Sequence, residues 1–133
     1  RYLNPPADRD IVFNELMIDW DEPVVLVEGV FDAIAAGGNA IPILGSTLRE
    51  QSRLFQAIAI HDTPVYMALD GDAEKKAEWI IKSMLKYDLE VFKVPIDEED
   101  VSEMGVEEFR ERLEISSPIK NEMYFFEKLL ENI

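Results

Sequence analysis

The chain reads Val24-Val25-Leu26-Val27-Glu28-Gly29, a short apolar run that ends in an acid and a glycine. The run lacks the alternation of apolar and polar residues that marks a strand with one exposed face. A continuous, mostly β-branched run bounded by turn residues is typical of a strand buried on both faces, as in a parallel sheet. We therefore predict a central strand here, with Glu28 at the point where the strand ends.

Similar apolar runs alternate with helix-like periodicity along the rest of the chain. Such alternation predicts an α/β fold, a Rossmann-like sheet of about four mainly parallel strands with helices on both faces. The predicted strands are 24–27, 40–44, 65–69 and 90–94. The predicted helices lie near 10–19, 31–36, 45–59, 73–85 and 106–113, with a final helix that starts at Ser117-Pro118, and residues 96–105 are predicted to form an acidic loop.

Two local signals refine this outline. Pro42 lacks a backbone N–H group, so the strand that contains it belongs at an edge of the sheet or at a strand start. Thr47 followed by Glu50 matches a capping box, which predicts that the second helix opens between residues 45 and 50.

The composition fits one globular domain. The chain has 133 residues, 47% of them hydrophobic, and no apolar window approaches the roughly 20 residues of a membrane span. Cysteine is absent, which excludes disulfides and thiolate metal sites. We expect a cytoplasmic protein that does not contact a membrane. Because the first residue is Arg1, we expect an excised or processed piece of a longer chain.

The net charge is strongly negative, at −15 from 28 acidic and 13 basic residues. A surface of this sign repels a nucleic-acid backbone. If this domain acts on nucleic acid, other domains must supply the basic surface. Solubility accounts for most of the acidic residues.

Acidic residues follow two of the predicted strands. Glu28 ends the first, with Asp32 four residues later, and Asp70-Gly71-Asp72 ends the third. Ligands of open parallel sheets bind beyond the carboxyl ends of the strands, so neighbouring strands would bring these carboxylates together. Oxygen ligands without His or Cys select Mg²⁺ or Mn²⁺, typically beside phosphate groups. Taken singly, Asp72 and Asp32 fit a helix cap and a first-turn dipole partner better.

These segments resemble the Toprim family. Residues 25–33 (VLVEGVFDA) resemble its first motif, a strand ending in Glu-Gly with an Asp three residues later, and residues 68–73 (ALDGDA) resemble its Asp-x-Asp motif. Residues 44–47 (LGST) and the acidic segment 97–109 are similar to parts of bacterial and phage DnaG-type primases. The Asp-Pro-Asp and Ala-Gly-Arg segments of those primases are absent.

The resemblance implies a set of functional residues. Glu28, Asp70 and Asp72 would be catalytic Mg²⁺ (or Mn²⁺) ligands, with Asp100 as a further ligand. Asp32 and Asp97 would support the site. Lys75 or Lys76 would be a phosphate contact, at a position that differs from the family's basic residue. Independently of the resemblance, Arg49 lies near the predicted start of the second helix and is a candidate phosphate contact, although a solvated surface position fits it better.

The resemblance also implies a function, Mg²⁺-dependent nucleotidyl transfer that makes RNA primers on a DNA template. Nucleoside triphosphates, single-stranded DNA held by missing domains and a replicative helicase would be the partners. Residues 1–22 would be a flank of a preceding region, 23–115 the catalytic domain and 116–133 a C-terminal helix. We expect the piece to be inactive without its other domains.

Three alternatives stay open. A Toprim nuclease or topoisomerase would use the same acids to cleave phosphodiesters, although no tyrosine is placed as a topoisomerase nucleophile. A non-catalytic Toprim scaffold would also fit the −15 charge. A receiver domain fits less well, because it needs an acidic pair after its first strand and a fifth core strand.

Overall fold

The computed structural model describes residue 12 and residues 15–44, 48–69, 74–96, 101–119 and 129–130. Its five strands are β1 (Val24–Val27), β2 (Ala40–Pro42), β3 (Val65–Met67), β4 (Val91–Lys93) and β5 (Ser117–Ile119). They form one sheet in the order β2-β1-β3-β4-β5. The first four are parallel and β5 is antiparallel to β4. The predicted α/β class with a mainly parallel sheet is confirmed, with one strand more than expected.

Helices cover both faces of the sheet. They are α1 (Val30–Ala36), α2 (Arg53–His61), α3 (Glu74–Lys86), α4 (Val101–Met104) and α5 (Val106–Glu114), preceded by a 3₁₀ turn at Glu15–Met17. One core packs Phe55 and Ile58 of α2 with Ile80 and Met84 of α3. A second core packs Ala33 of α1 with Met104 and Phe109. The helices therefore divide into α2 and α3 on one face and α1, α4 and α5 on the other.

β1 supplies side chains to both cores. Val24 and Leu26 belong to the core under α2 and α3, whereas Val25 and Val27 belong to the core under α1, α4 and α5. All four are buried. Since successive side chains of a strand point to opposite faces, a strand without polar positions is what a sheet covered on both sides requires. The prediction made from this run is confirmed.

Pro42 ends β2, which lies at the edge of the sheet beside β1. Only one side of an edge strand makes ladder hydrogen bonds, so the missing N–H of Pro42 is tolerated there. The edge position predicted from Pro42 is confirmed.

The start of α2 differs from the prediction. The helix begins at Arg53, and its N-cap is Ser52, whose hydroxyl accepts a hydrogen bond from the Phe55 backbone N–H at 3.2 Å. The helix start predicted between residues 45 and 50 is wrong, and Thr47, one half of the predicted capping box, lies outside the described residues. The physical reason is Leu48, which is 3% exposed and has a φ of 48°, so the chain turns there to bury this side chain and cannot start a helix.

Ser117-Pro118 does not open a helix, because these residues belong to β5. Pro118 lies opposite Phe92 of β4. Without β5 the outer edge of β4 would present unpaired backbone groups, and a proline is acceptable on a strand that is itself an edge. The sheet therefore extends beyond the domain boundary predicted at residue 115.

Two smaller predictions are also wrong. The region near 10–19 contains a three-residue 3₁₀ turn in which Leu16 and Met17 are exposed, while Val12 and Ile18 reach the core. The predicted acidic loop contains α4, which forms because Met104 packs into the second core. Within the described part of the chain, no helix is long and apolar enough to cross a membrane.

Candidate active site

Glu28 directly follows β1, at the carboxyl edge of the sheet. Its backbone is fixed by extension of the parallel ladder, in which Leu44 N–H donates to Glu28 C=O at 3.1 Å. Gly29 then forms the N-cap of α1. The side chain of Glu28 therefore leaves a rigid point between β2 and β3, which flank β1 in the sheet.

Lys76 of α3 contacts this carboxylate. Its Nζ donates to Glu28 Oε1 at 2.6 Å, and the side chains of Lys76 and Glu28 are 20% and 28% exposed. Lys76 lies four residues after Asp72 along the chain. β1 and β3 are neighbouring strands, and the first turn of α3 reaches the exit of β1. The predicted convergence of Asp70 and Asp72 with Glu28 stays a prediction.

The second oxygen of Glu28 is buried. Oε2 has no hydrogen-bond partner among the described residues. A buried carboxylate oxygen without a donor is costly, and a bound cation is one way to satisfy it. A carboxylate oxygen is a ligand that Mg²⁺ and Mn²⁺ prefer. Glu28 therefore fits a metal ligand.

Most of the other predicted site acids lie outside the described residues. They are the predicted ligands Asp70, Asp72 and Asp100 and the predicted supporting residue Asp97. Within the described ranges, no three His, Cys, Asp or Glu side chains group together as a metal site. The ligand set beyond Glu28 stays a prediction.

Asp32 has a structural contact. Its side chain is 8% exposed, and Oδ2 accepts a hydrogen bond from the Gly29 backbone N–H at 3.3 Å. This is the reciprocal half of a capping box at the start of α1. The contact favours the interpretation of Asp32 as a cap that positions the Glu28-Gly29 turn.

A cleft of about 470 Å³ opens beside the Glu28–Lys76 pair, between the segment before α2 and the first turns of α3. It brings together two of the predicted phosphate contacts. Lys75 is an exposed neighbour of Lys76 on α3 and does not line it. The lining residues are Arg49, Glu50, Gln51, Lys76 and Trp79.

Trp79 and Glu50 are site residues that the sequence reasoning missed. Trp79 follows Lys76 by three residues on a helix, which places both on one side, and this spacing could have revealed it. The sequence placed Glu50 in the predicted capping box of the second helix. No local signal identifies its actual partners, which lie 36 and 37 residues away.

Glu50 is held in place by α3. Its carboxylate accepts hydrogen bonds from Tyr87 Oη at 2.8 Å and from Lys86 Nζ at 3.2 Å. The Tyr87 hydrogen bond, followed by that of Lys86, lowers the pKa of Glu50, and the same contact raises the pKa of Tyr87. Glu50 is therefore a fixed, ionised wall of the cleft.

The chain resembles a solved bacterial primase. The structure is that of the Aquifex aeolicus primase, comprising its zinc-binding and RNA polymerase domains. The sequence identity is 27%, the TM-score is 0.59, and the match covers 73% of this chain. This chain spans about a quarter of the primase chain, at 26%.

No protein-family model and no curated protein matches the chain. The likeness to a primase therefore rests on the shared structure and the accompanying sequence identity.

Proposed function

We propose that this chain is the Toprim-type catalytic domain of a DNA primase, and that the complete protein makes RNA primers by Mg²⁺-dependent nucleotidyl transfer. The observation that carries the proposal is Glu28. It directly follows β1, an interior strand of the sheet, with one carboxylate oxygen on Lys76 and the other buried without a hydrogen-bond partner among the described residues. The likeness to a solved primase supports the same assignment.

Glu28, Asp70, Asp72 and Asp100 would hold the metal. When bound, Mg²⁺ would neutralise triphosphate charge and stabilise charge that develops at the reacting phosphate. The chain's own residues position the participants. β1 fixes Glu28 through the ladder to Leu44, and the cations of Lys76 and Arg49 would attract the phosphates at one end of the cleft.

The template would be held elsewhere. A chain of net charge −15 repels single-stranded DNA, so the basic surface for the template belongs to other domains of the complete protein. The piece alone is therefore expected to lack primer synthesis, which limits activity assays to the complete protein.

The reaction is tested by Asp70→Asn in the complete protein. The substitution removes a carboxylate charge with almost no change of volume, so we expect primer synthesis to be lost while the circular dichroism spectrum is unchanged. Asp62→Asn is the matched control, because Asp62 terminates α2 in a left-handed conformation that asparagine accepts. Normal primer yield from the Asp70 variant would contradict the proposal, as would cleavage of supercoiled plasmid by a wild type that makes no primers.

The metal site is tested separately by titration calorimetry of this chain with Mn²⁺. We expect binding by the wild type and none by Glu28→Gln, since the amide replaces the oxygen left without a partner. Glu22→Gln, an exposed acid outside the site, serves as the control. A wild type that binds no Mn²⁺ would favour a non-catalytic scaffold.

A further inference from the structure

The cleft beside Glu28 has the size of a small-molecule site. Its volume of about 470 Å³ lies within the roughly 300–1,000 Å³ of typical ligand pockets. Lys76 lines the cleft and also contacts Glu28, so the cleft begins where the candidate metal site ends. A ligand in the cleft would therefore have one end beside Glu28.

Trp79 presents an open aromatic side chain to this cleft. It is 47% exposed, although it lies in the middle of α3. The other tryptophan is already occupied, since Trp20 stacks on His61 with ring centroids 5.8 Å apart. An exposed aromatic face next to cations is the arrangement on which nucleotide bases stack.

The cations of the cleft are available to an anion. Arg49 makes no ion pair within the described part of the chain. The Lys76 ammonium has three donors, and Glu28 Oε1 takes one of them. In a chain of net charge −15, two such cations on one cleft provide a local site for phosphate.

The remaining wall suits the polar part of a nucleoside. Glu50 is held rigidly by Tyr87 and Lys86, and a carboxylate that accepts two hydrogen bonds can still accept more from hydroxyl or amino groups. Gln51 beside it offers both a donor and an acceptor. The wall can therefore contact a ribose or a base edge without moving.

We infer that this cleft binds a single nucleoside triphosphate, with its base stacked on Trp79 and its phosphates directed along Arg49 and Lys76 toward Glu28. The inference rests on the proposed function for the role of the nucleotide as substrate. The stacking of the base on Trp79 and the direction of the phosphates along α3 are inferred from the residues that line the cleft.

A free nucleotide fits better than a unit of a nucleic-acid strand. The anionic wall at Glu50 and the overall charge of −15 both oppose a long polyanion. One nucleoside triphosphate carries only about four negative charges, of which a bound Mg²⁺ would offset two, and Arg49 and Lys76 face the rest. We therefore assign the cleft to a free mononucleotide. The test below compares a free nucleotide with a short DNA strand.

The test uses tryptophan fluorescence of this chain. In Trp20→Phe the remaining fluorophore is Trp79, and ATP or UTP with Mg²⁺ should quench it in a saturable manner. In Trp79→Phe only Trp20 remains, and nucleotide should leave its fluorescence unchanged, because Trp20 stacks on His61 at the far end of α2 from Arg53. Quenching of Trp79 by a ten-residue oligothymidylate but not by ATP or UTP would overturn the inference.

Variants then assign the contacts by calorimetry with ATP. Trp79→Leu should weaken binding by about 5- to 140-fold, the range expected for the loss of one stacked base, whereas Trp79→Phe should retain most of the affinity. Arg49→Gln should weaken ATP binding more than AMP binding. Lys82→Gln, an exposed lysine on α3 outside the cleft, is the charge control. Wild-type affinity in Trp79→Leu would refute the stacking site.

AMP titrated in EDTA separates this inference from the proposed function. Stacking on Trp79 needs neither metal nor catalysis, so AMP should quench Trp79 even if the complete protein makes no primers. Conversely, a complete protein that needs Asp70 for primer synthesis but whose Trp79 ignores nucleotides would retain the proposed function and lose this binding site.

Discussion

The Lys76 ammonium lies 2.6 Å from Glu28 Oε1, so a cation from α3 already occupies one of the two oxygens of the carboxylate that ends β1. The other oxygen, Oε2, is buried without a partner among the described residues. Both side chains are less than a third exposed. If a divalent cation binds Oε2, the ammonium of Lys76 and the metal would share one carboxylate. Lys76 would then affect both the stability of the metal-free protein and its affinity for metal.

Lys76→Met should destabilise the metal-free protein. The variant leaves a largely buried carboxylate with neither oxygen paired among the described residues, and losing a hydrogen bond between charged groups costs about 1–3 kcal/mol. Urea denaturation in EDTA measures this change in the free energy of unfolding. Lys75→Met is the control, since Lys75 is exposed and has no ion-pair partner in the described ranges.

The same variant should bind Mn²⁺ more tightly than the wild type in calorimetry, because an ammonium group beside the carboxylate no longer repels the ion. An Mn²⁺ affinity that falls in Lys76→Met would show that Lys76 prepares the carboxylate for metal instead of competing with it.

Ser52→Ala should destabilise the chain by about 1 kcal/mol, the usual cost of removing an N-cap side chain. The hydroxyl of Ser52 accepts the hydrogen bond from Phe55 N–H that caps α2. Thr47→Ala is the informative control, because α2 begins at Arg53, too far along the chain for Thr47 to cap it. Thermal or urea unfolding checks both, and an equal loss in the two variants would argue against the observed helix start.

This pair of residues shows where sequence reasoning reaches its limit. Thr47 with Glu50 satisfies the local rule for a cap, and nothing nearby shows that Ser52 is used instead. The choice depends on Leu48, whose burial against the sheet forces a left-handed turn. A tertiary contact therefore overrides a local preference.

The same contrast holds for the sheet and the site. The apolar run 24–27 correctly predicted a strand that is buried on both faces, because a strand between two helical layers needs apolar residues at every position. The helix expected from Ser117-Pro118 does not start there, because pairing with β4 makes that segment a strand. Residues 120–128 of the predicted helix lie outside the described residues. Likewise, Glu28 was predictable as a strand-end acid, whereas its contact with Lys76, 48 residues away, depends on how α3 packs.

Glu50→Gln should show a stability defect that depends on pH. The pKa of Glu50 lies below its ordinary value of 4.5, chiefly because of the Tyr87 hydrogen bond and then because of Lys86. A lowered pKa in the folded state means that the ionised form stabilises the fold above pH 4.5, and that this contribution is lost as the pH falls through the lowered pKa. The variant should therefore be less stable at neutral pH and approach the wild type in acid.

Urea denaturation of both proteins across this pH range measures the Glu50 effect. Asp88→Asn, an exposed acid outside the cleft, controls for the general loss of one negative charge. A defect of equal size at neutral and acidic pH would mean that the ionised carboxylate of Glu50 is not what stabilises the contact.

Asp32 is predicted to act on the site through the backbone and not as a metal ligand. Its Oδ2 accepts from Gly29 N–H, the residue directly after Glu28. In Asp32→Asn an amide oxygen can keep this hydrogen bond, so Mn²⁺ affinity should stay close to that of the wild type while Glu28→Gln abolishes it. Asp32→Ala loses the cap and should cost about 1 kcal/mol of stability, with a secondary loss of Mn²⁺ affinity as the Glu28-Gly29 turn loosens. Asp32→Asn could instead lose Mn²⁺ binding as completely as Glu28→Gln while its free energy of unfolding stays that of the wild type. In that case the charge of Asp32 is needed at the metal, and Asp32 belongs with Glu28 in the ligand set.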